Sequence, residues 1–141
     1  MHAVLETSKG TIAVLLATKE APLACNNFVK LVREGFYANL KWHRVIPNFV
    51  AQVGCPKGDG TGGPGYTIDH EKNARKHTKG AVAMARLKGD RNHGSQFYIA
   101  RASLPHLDGE YTVFASVTSG LTILDKLTEG DTITADRKSV V

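Results

Sequence analysis

Apolar and polar positions organise the chain from its first residues. Ala3 to Glu6 and Thr11 to Ala17 are apolar, β-branched runs separated by the turn-forming cluster Thr7-Ser8-Lys9-Gly10, a pattern that predicts an opening β-hairpin. The period then changes. Ala24, Phe28, Leu31 and Val32 recur at helical spacing between Pro22 and Gly35, which predicts a helix that begins at the proline and stops at the glycine. No Ser, Thr, Asp or Asn stands just before Pro22, so the helix has no local N-cap in its sequence. Strand-like pieces follow at Trp42 to Ile46, Phe49 to Val53, Ala81 to Ala85, Gln96 to Ala100 and Thr112 to Val117. A second helix is predicted from about Leu121 to Thr128, with Ser119 as N-cap and Gly130 as stop, then a last strand from Thr132 to Ala135. Short strands divided by turn residues predict a mostly antiparallel β-barrel or sandwich. No internal repeat, low-complexity tract or linker interrupts the pattern, so residues 1–141 read as a single domain.

Composition narrows the function classes. With 141 residues the chain falls in the one-domain range, and surface scaling for this mass gives a folded area of roughly 7,000 Å², about a third of the unfolded value. Hydrophobic residues at 42% and charged residues at 22% exclude a disordered, collagenous or disulfide-scaffold chain. The longest apolar run, Ile12 to Ala17, is far below the 18 or so residues of a membrane span. No basic segment, apolar stretch and cleavage site occur in series at the N-terminus, so a cytoplasmic chain without membrane contact is expected. In such a compartment Cys25 and Cys55 are expected to stay reduced. Two cysteines and six histidines without His-Glu-x-x-His or i, i+4 pairing predict no metal site. The net charge of +5 permits nucleic acid, anionic membrane or acidic peptide as partner and selects none.

Candidate motifs sort quickly. Gly58 to Gly65 formally matches a phosphate-binding G-x-G-x-x-G, but Pro64-Gly65 breaks the backbone where the helix should begin, and no βαβ unit surrounds it. It reads as a flexible surface loop. Ser95 lacks the second glycine of a nucleophile elbow, and Asp90 and His93 are near it only in sequence. The aromatics do not form the paired signatures of an RNA-binding sheet, so nucleic acid is not expected as a ligand.

Four further segments stand out: Trp42 to Gln52 (WHRVIPNFVAQ), Ala83 to Arg86 (AMAR), Gly94 to Ile99 (GSQFYI) and Leu107 to Phe114 (LDGEYTVF). In order and spacing, together with Asn26-Asn27-Phe28 and Gly35-Phe36-Tyr37, they make the chain resemble the cyclophilins, from Ala3 to about Ile133. The resemblance implies an eight-stranded antiparallel closed β-barrel capped by two α-helices, and peptidyl-prolyl cis/trans isomerase activity without a cofactor. It implies Arg44 and Gln52 as the catalytic pair. Substrate binding falls to Phe49, Val50, Ala85, Arg86, Gln96, Tyr98, His106, Leu107 and Tyr111, with Met84 at the strand end beneath the groove. Strict alternation separates Phe49 from Gln52, so a bend or bulge is expected between them. The implied partners are proline-containing peptides and unfolded proteins, met by a monomer that assists folding. The alternative is a non-catalytic module of the same fold that holds proline-containing segments.

The sequence also departs from the best-known cyclophilins. His106 stands where many eukaryotic members have Trp, Tyr111 replaces a common His and Val50 a common Met; the first implies weak affinity for a cyclosporin-type ligand. Val53 and Cys55 replace the usual Gly and Asp. Finally, the positive charge is concentrated: between Lys72 and Arg101 eight basic residues face the single acid Asp90. The loop from Arg86 to His93 is therefore expected to give the groove a basic rim that favours acidic residues before the proline.

Overall fold

The opening hairpin forms as the alternation demands. In the computed structural model, which describes residues 1–86 and 92–135, β1 (His2–Thr7) and β2 (Gly10–Leu16) pair antiparallel from His2↔Leu15 to Thr7↔Gly10. Ala3 and Leu5 on one strand, and Ile12, Val14 and Leu16 on the other, are buried. The first helix, α1 (Pro22–Arg33), buries Ala24, Phe28, Leu31 and Val32 as its spacing predicts. It ends on Gly35, whose φ of 73° is the left-handed conformation glycine adopts without a Cβ clash. There Gly35 N–H bonds Val32 O and Phe36 N–H bonds Leu31 O, so two otherwise orphaned carbonyls are satisfied. The missing N-cap is supplied from far along the chain: the Glu71 carboxylate accepts from Leu23 N–H at 3.0 Å and Ala24 N–H at 2.8 Å.

Six more strands complete the sheet: β3 (Arg44–Val45), β4 (Val50–Val53), β5 (Ala81–Arg86), β6 (His93–Ala100), β7 (Val113–Ser119) and β8 (Ile133–Ala135). Their order is β3-β4-β6-β5-β7-β2-β1-β8, and every pair is antiparallel. The expected closed barrel is not what forms. The sheet is open and curled, because β3 is only two residues long and shares no ladder with β8. Among the described residues its ends meet through the isolated bridge Lys41↔Thr132 and the backbone bonds Asn39 N–H to Ile133 O, Trp42 N–H to Asp131 O, Gly130 N–H to Trp42 O and Ile133 N–H to Leu40 O. Trp42 thus leaves the strand expected for it and serves this stitch, fully buried.

The second helix, α2 (Leu121–Lys126), is shorter than expected and is preceded by Gly120 rather than capped by Ser119. Gly120 has φ 99°, and a Cβ there would stand 2.5 Å from Thr11 O, so the chain enters this helix where only glycine fits. No helix among the described residues is long and apolar enough to cross a membrane.

The sheet's two faces bury different groups. On β5, Val82 and Met84 point to the main core, which they share with Phe97, Ile99, Ala51 and Val53, and where Phe97 meets Phe28 of α1 edge to face. Ala81, Ala83 and Ala85 point the other way, into a smaller cluster with Val50, Tyr98, Ala100, Leu104 and Val113. Met84, expected beneath the groove, therefore lies on the face opposite it.

Candidate active site

Register brings the candidate residues together. Arg44 pairs with Gln52, Gln52 with Tyr98, Tyr98 with Ala83 and Ala83 with Val113, so one row of directly opposed residues crosses five strands on one face. Directly opposed residues share a face, which places Arg44 and Gln52 at one end of the row and the small alanine well inside it. Ala81 and Ala83 pack into the smaller cluster, and Ala85, at the end of the strand, is the small residue of β5 that lines a hollow enclosed by aromatic side chains.

That hollow has a volume of about 130 Å³. Its apolar walls are Phe49, Val50, Ala85, Tyr98, Leu107 and Tyr111, and its polar edge is Arg44, Gln52 and Arg86. Tyr98 and Tyr111 meet edge to face at 5.8 Å, and the Arg86 guanidinium lies 4.4 Å over the Tyr111 ring while donating to Glu110 O at 2.7 Å. Phe49 reaches the site because it is not part of β4. Asn48, at φ 57°, turns the chain just before the strand, with Phe49 N–H bonded to Ile46 O. No bulge interrupts Val50–Val53; Phe49 itself stands at a bend outside the strand, next to the left-handed Asn48, and alternation holds from Val50 onward.

Arg44 is exposed, lies 5.6 Å over the Phe49 ring and forms no ion pair with a carboxylate among the described residues. Its charge is permanent and its five N–H donors are directional. Gln52 is held from behind: its Nε2 donates to Gln96 Oε1 at 3.0 Å, and Gln96 Nε2 in turn donates to Gly60 O and Gly62 O, both at 2.9 Å. With its nitrogen committed, Gln52 has its carbonyl oxygen left to accept from a guanidinium or a peptide N–H.

Two expected binding residues stand apart from the hollow. Gln96 is buried and acts on Gln52; it also lines a second hollow of about 470 Å³ that shares Ala85 with the first. His106 is exposed on the 3₁₀ turn Pro105–Leu107 and stacks on Phe49 at 6.3 Å and 14°, supporting that ring from outside. The loop from Gly58 to Gly65 is pinned, contrary to the loose loop expected: besides Gln96, the Cys55 sulfur accepts from Gly60 N–H at 3.3 Å and Gly62 N–H at 3.2 Å. Ser95, buried, donates to Gly54 O at 2.6 Å. Residues Lys88, Asp90 and Arg91 of the expected basic rim lie outside the described residues. Among the described residues no group of three or more His, Cys, Asp or Glu side chains is placed to hold a metal ion. Sequence reasoning missed His77 and Asp108, which stand behind Tyr98; Asp108 falls within a motif singled out above, but nothing local marks either as part of a site.

A family model described as cyclophilin type peptidyl-prolyl cis-trans isomerase/CLD matches residues 2–140. The chain belongs to the cyclophilin family. A Helicobacter pylori peptidyl-prolyl cis-trans isomerase is 52% identical to this cyclophilin over 136 residues, 94% of this chain and 83% of the relative. A crystal structure of a Cryptosporidium parvum cyclophilin type peptidyl-prolyl cis-trans isomerase superposes with a TM-score of 0.88 at 30% identity, covering 96% of this chain and 94% of that one. The same Cryptosporidium parvum protein crystallised in the presence of the dipeptide Ala-Pro gives a TM-score of 0.84 at 30% identity, over 94% of this chain and 98% of the other. Activity class and fold family thus agree with the sequence-based expectation, apart from the barrel's closure.

Proposed function

We propose that the Arg44-edged hollow is where this cyclophilin binds proline and accelerates rotation about the X-Pro bond. Apolar cavities of about 150 Å³ accept a benzene-sized ring, so a hollow of about 130 Å³ with aromatic walls suits a five-membered one. The Ala-Pro dipeptide of the related crystal supports a ligand of this class. The adjoining hollow across Ala85 suits the side chain of a neighbouring peptide residue.

Unaided rotation takes tens to hundreds of seconds. Bringing it to milliseconds needs about 10⁴ to 10⁵ in rate, or roughly 5.5 to 7 kcal/mol. No bond is made or broken. In the twisted state amide resonance is lost and the proline nitrogen becomes pyramidal and basic, so Arg44 gains a hydrogen bond that the planar ground state cannot accept. Such a charged bond contributes about 1.5 to 3 kcal/mol; anchoring the ring in a dry, aromatic site while the preceding carbonyl swings supplies the remainder. Gln52, oriented by Gln96, positions Arg44 or holds the substrate carbonyl.

The observation that carries this mechanism is Arg44, with no carboxylate partner among the described residues, opposite Gln52 at the mouth of the hollow. Arg44→Ala is expected to lower kcat/KM for a proline peptide at least about tenfold with the circular dichroism spectrum unchanged. Unaltered isomerisation in a protease-free assay rejects the assignment. The same proposal covers proline-containing segments of unfolded proteins as substrates, folding assistance as the role, and a cytoplasmic monomer of one domain as the working form; both cysteines are free, which suits a reducing compartment. Weak affinity for a cyclosporin-type ligand belongs to it too, since His106 presents an exposed imidazole at the rim.

A further inference from the structure

Behind the aromatic wall of the hollow sits a histidine that the mechanism above does not use. His77 is 1% exposed, in the loop that precedes β5, and all its polar atoms are engaged. Its backbone N–H and its Nδ1 both meet Asp108 Oδ1, at 2.7 and 3.0 Å, and its carbonyl accepts from Leu104 N–H at 2.8 Å. Its Nε2 is 2.7 Å from the hydroxyl of Tyr98, whose ring lines the hollow. One side chain therefore ties the Leu104–Asp108 segment, which carries Leu107, to the Tyr98 wall.

Donor and acceptor identity fixes the direction of these bonds. An ionised carboxylate only accepts, so Asp108 requires a hydrogen on Nδ1, leaving Nε2 of neutral His77 as a lone pair that receives the Tyr98 hydroxyl hydrogen. Protonated His77 carries a hydrogen on Nε2 as well. Two hydrogens cannot share that contact, so the Tyr98 hydroxyl must turn and accept, with a positive charge now behind the wall.

We propose that His77, held by Asp108, is a positioning residue for the isomerase: while neutral it locks the Tyr98 hydroxyl and the proline-binding wall, and its protonation weakens substrate binding. This rests on the hollow being the proline site. The groups that face His77 are Asp108, Tyr98 and, from the 3₁₀ turn, His106. Burial lowers the His77 pKa from its ordinary value, against the opposing pull of Asp108 and with a small contribution from the charge of His106, so the lock is closed at neutral pH.

Arg44 and Gln52 do not titrate between about pH 5 and 8, whereas histidine does, and a loss of binding common to ground and transition states raises KM without lowering kcat. The test is therefore steady-state isomerisation of a non-titrating proline peptide across that range, with imidazole nitrogen NMR on the same samples. Expected for the wild type is a rise in KM of about tenfold on acidification, the worth of the hydrogen bond that the turned Tyr98 hydroxyl no longer donates, at nearly constant kcat and in step with the His77 resonance, which starts as the Nδ1–H tautomer. His77→Gln, which keeps an acceptor but does not titrate, flattens the profile; Tyr98→Phe flattens it with KM raised throughout; His106→Gln retains the step. A wild-type KM that ignores pH, a step that survives in His77→Gln, or an Nε2–H tautomer overturns the proposal. Arg44→Ala separates the two assignments: reduced kcat with the pH step retained supports both, whereas unchanged kcat rejects the site itself.

Discussion

Phe49 and Gln52 lie three positions apart, which on an uninterrupted strand puts them on opposite faces. The conflict disappears because Phe49 stands at a bend, after the left-handed Asn48 and outside β4, where strand alternation does not apply to it. The motif residues of the site were legible because they are contiguous or nearly so. The partners that hold them were not: Gln96 meets Gln52 across 44 residues, and His77 meets Asp108 across 31. The cysteines show the same limit, since nothing in the sequence distinguishes their chemistry. Burial, with the nearby Glu71 charge, pushes the Cys25 thiol up to about 11. At Cys55 burial works in the same direction, yet the backbone N–H groups of Gly62, Asp59, Gly60 and Lys57 together pull its thiol below the ordinary value. Thiolates, not thiols, react. Both thiols are buried, so a reagent reaches either one only as the fold opens locally; at mildly alkaline pH it should modify Cys55 ahead of Cys25, as read by mass spectrometry, and equal rates would contradict these environments.

β5 shows how an element makes a site by what it omits. Its Val82 and Met84 fill the main core and Ala81 and Ala83 the smaller cluster, while the small Ala85 leaves room for the hollow that the aromatics surround. Both its strand character and its alternation were legible in Ala81 to Ala85. That Ala85 faces a hollow was not, because alanine pairs equally well with a close-packed neighbour, as Ala81 and Ala83 do. Ala85→Leu should fill the hollow and raise KM for a proline peptide at least about tenfold. Its overpacking cost is expected to stay within about 1 to 3 kcal/mol, measurable by urea unfolding. A variant with native KM would place the proline elsewhere. The helices divide in the same manner. The body of α1 and its glycine stop follow from local sequence, but the acidic group at its N-terminus comes from Glu71, and α2 begins at Gly120 because the chain there passes against Thr11.

At the scale of the molecule, the strand complement and the antiparallel pairing followed from the pattern, whereas closure did not. Closure depends on the length of β3, and a turn cannot be counted from apolar periodicity. The charge pattern changes too. Around the hollow of about 540 Å³ beside the site, Lys72 and Arg86 are accompanied by Asp69 and Glu110, so the described part of the rim is mixed in sign. Global stability should follow pH in a definite order. His43 and His77 are lowered mainly by burial, so the unfolded chain binds their protons first, and stability falls as pH drops below about 6.5. Asp59 is held below its usual range by Thr61 and Asp108 by the His77 backbone N–H, while at Asp131 slight burial is outweighed by Lys9, Thr128 and Ser8. Their contribution is present above about pH 3.9 and is lost below it. On the alkaline side, Cys25 and Tyr98, both raised mainly by burial, reduce stability above about pH 8.5 as the unfolded chain ionises first. Urea midpoints across pH should form a plateau near neutrality with a first loss below about 6.5; constant stability from there to pH 4.5 would be inconsistent with a buried and a half-buried imidazole that both resist protonation.

The stitch between residues 39–42 and 130–133 has a consequence in time as well as in shape. A ladder loses its bonds together, but a short reciprocal stitch can part while every strand pair remains intact, a sub-global opening of low cost. In native-state hydrogen exchange the amides of Asn39, Trp42, Gly130 and Ile133 should lose protection as one group, before those shared by β5 and β6, even though Trp42 and Ile133 are fully buried. Exchange of all these amides only with global unfolding would mean that the sheet, open in its pairing, is closed in its dynamics.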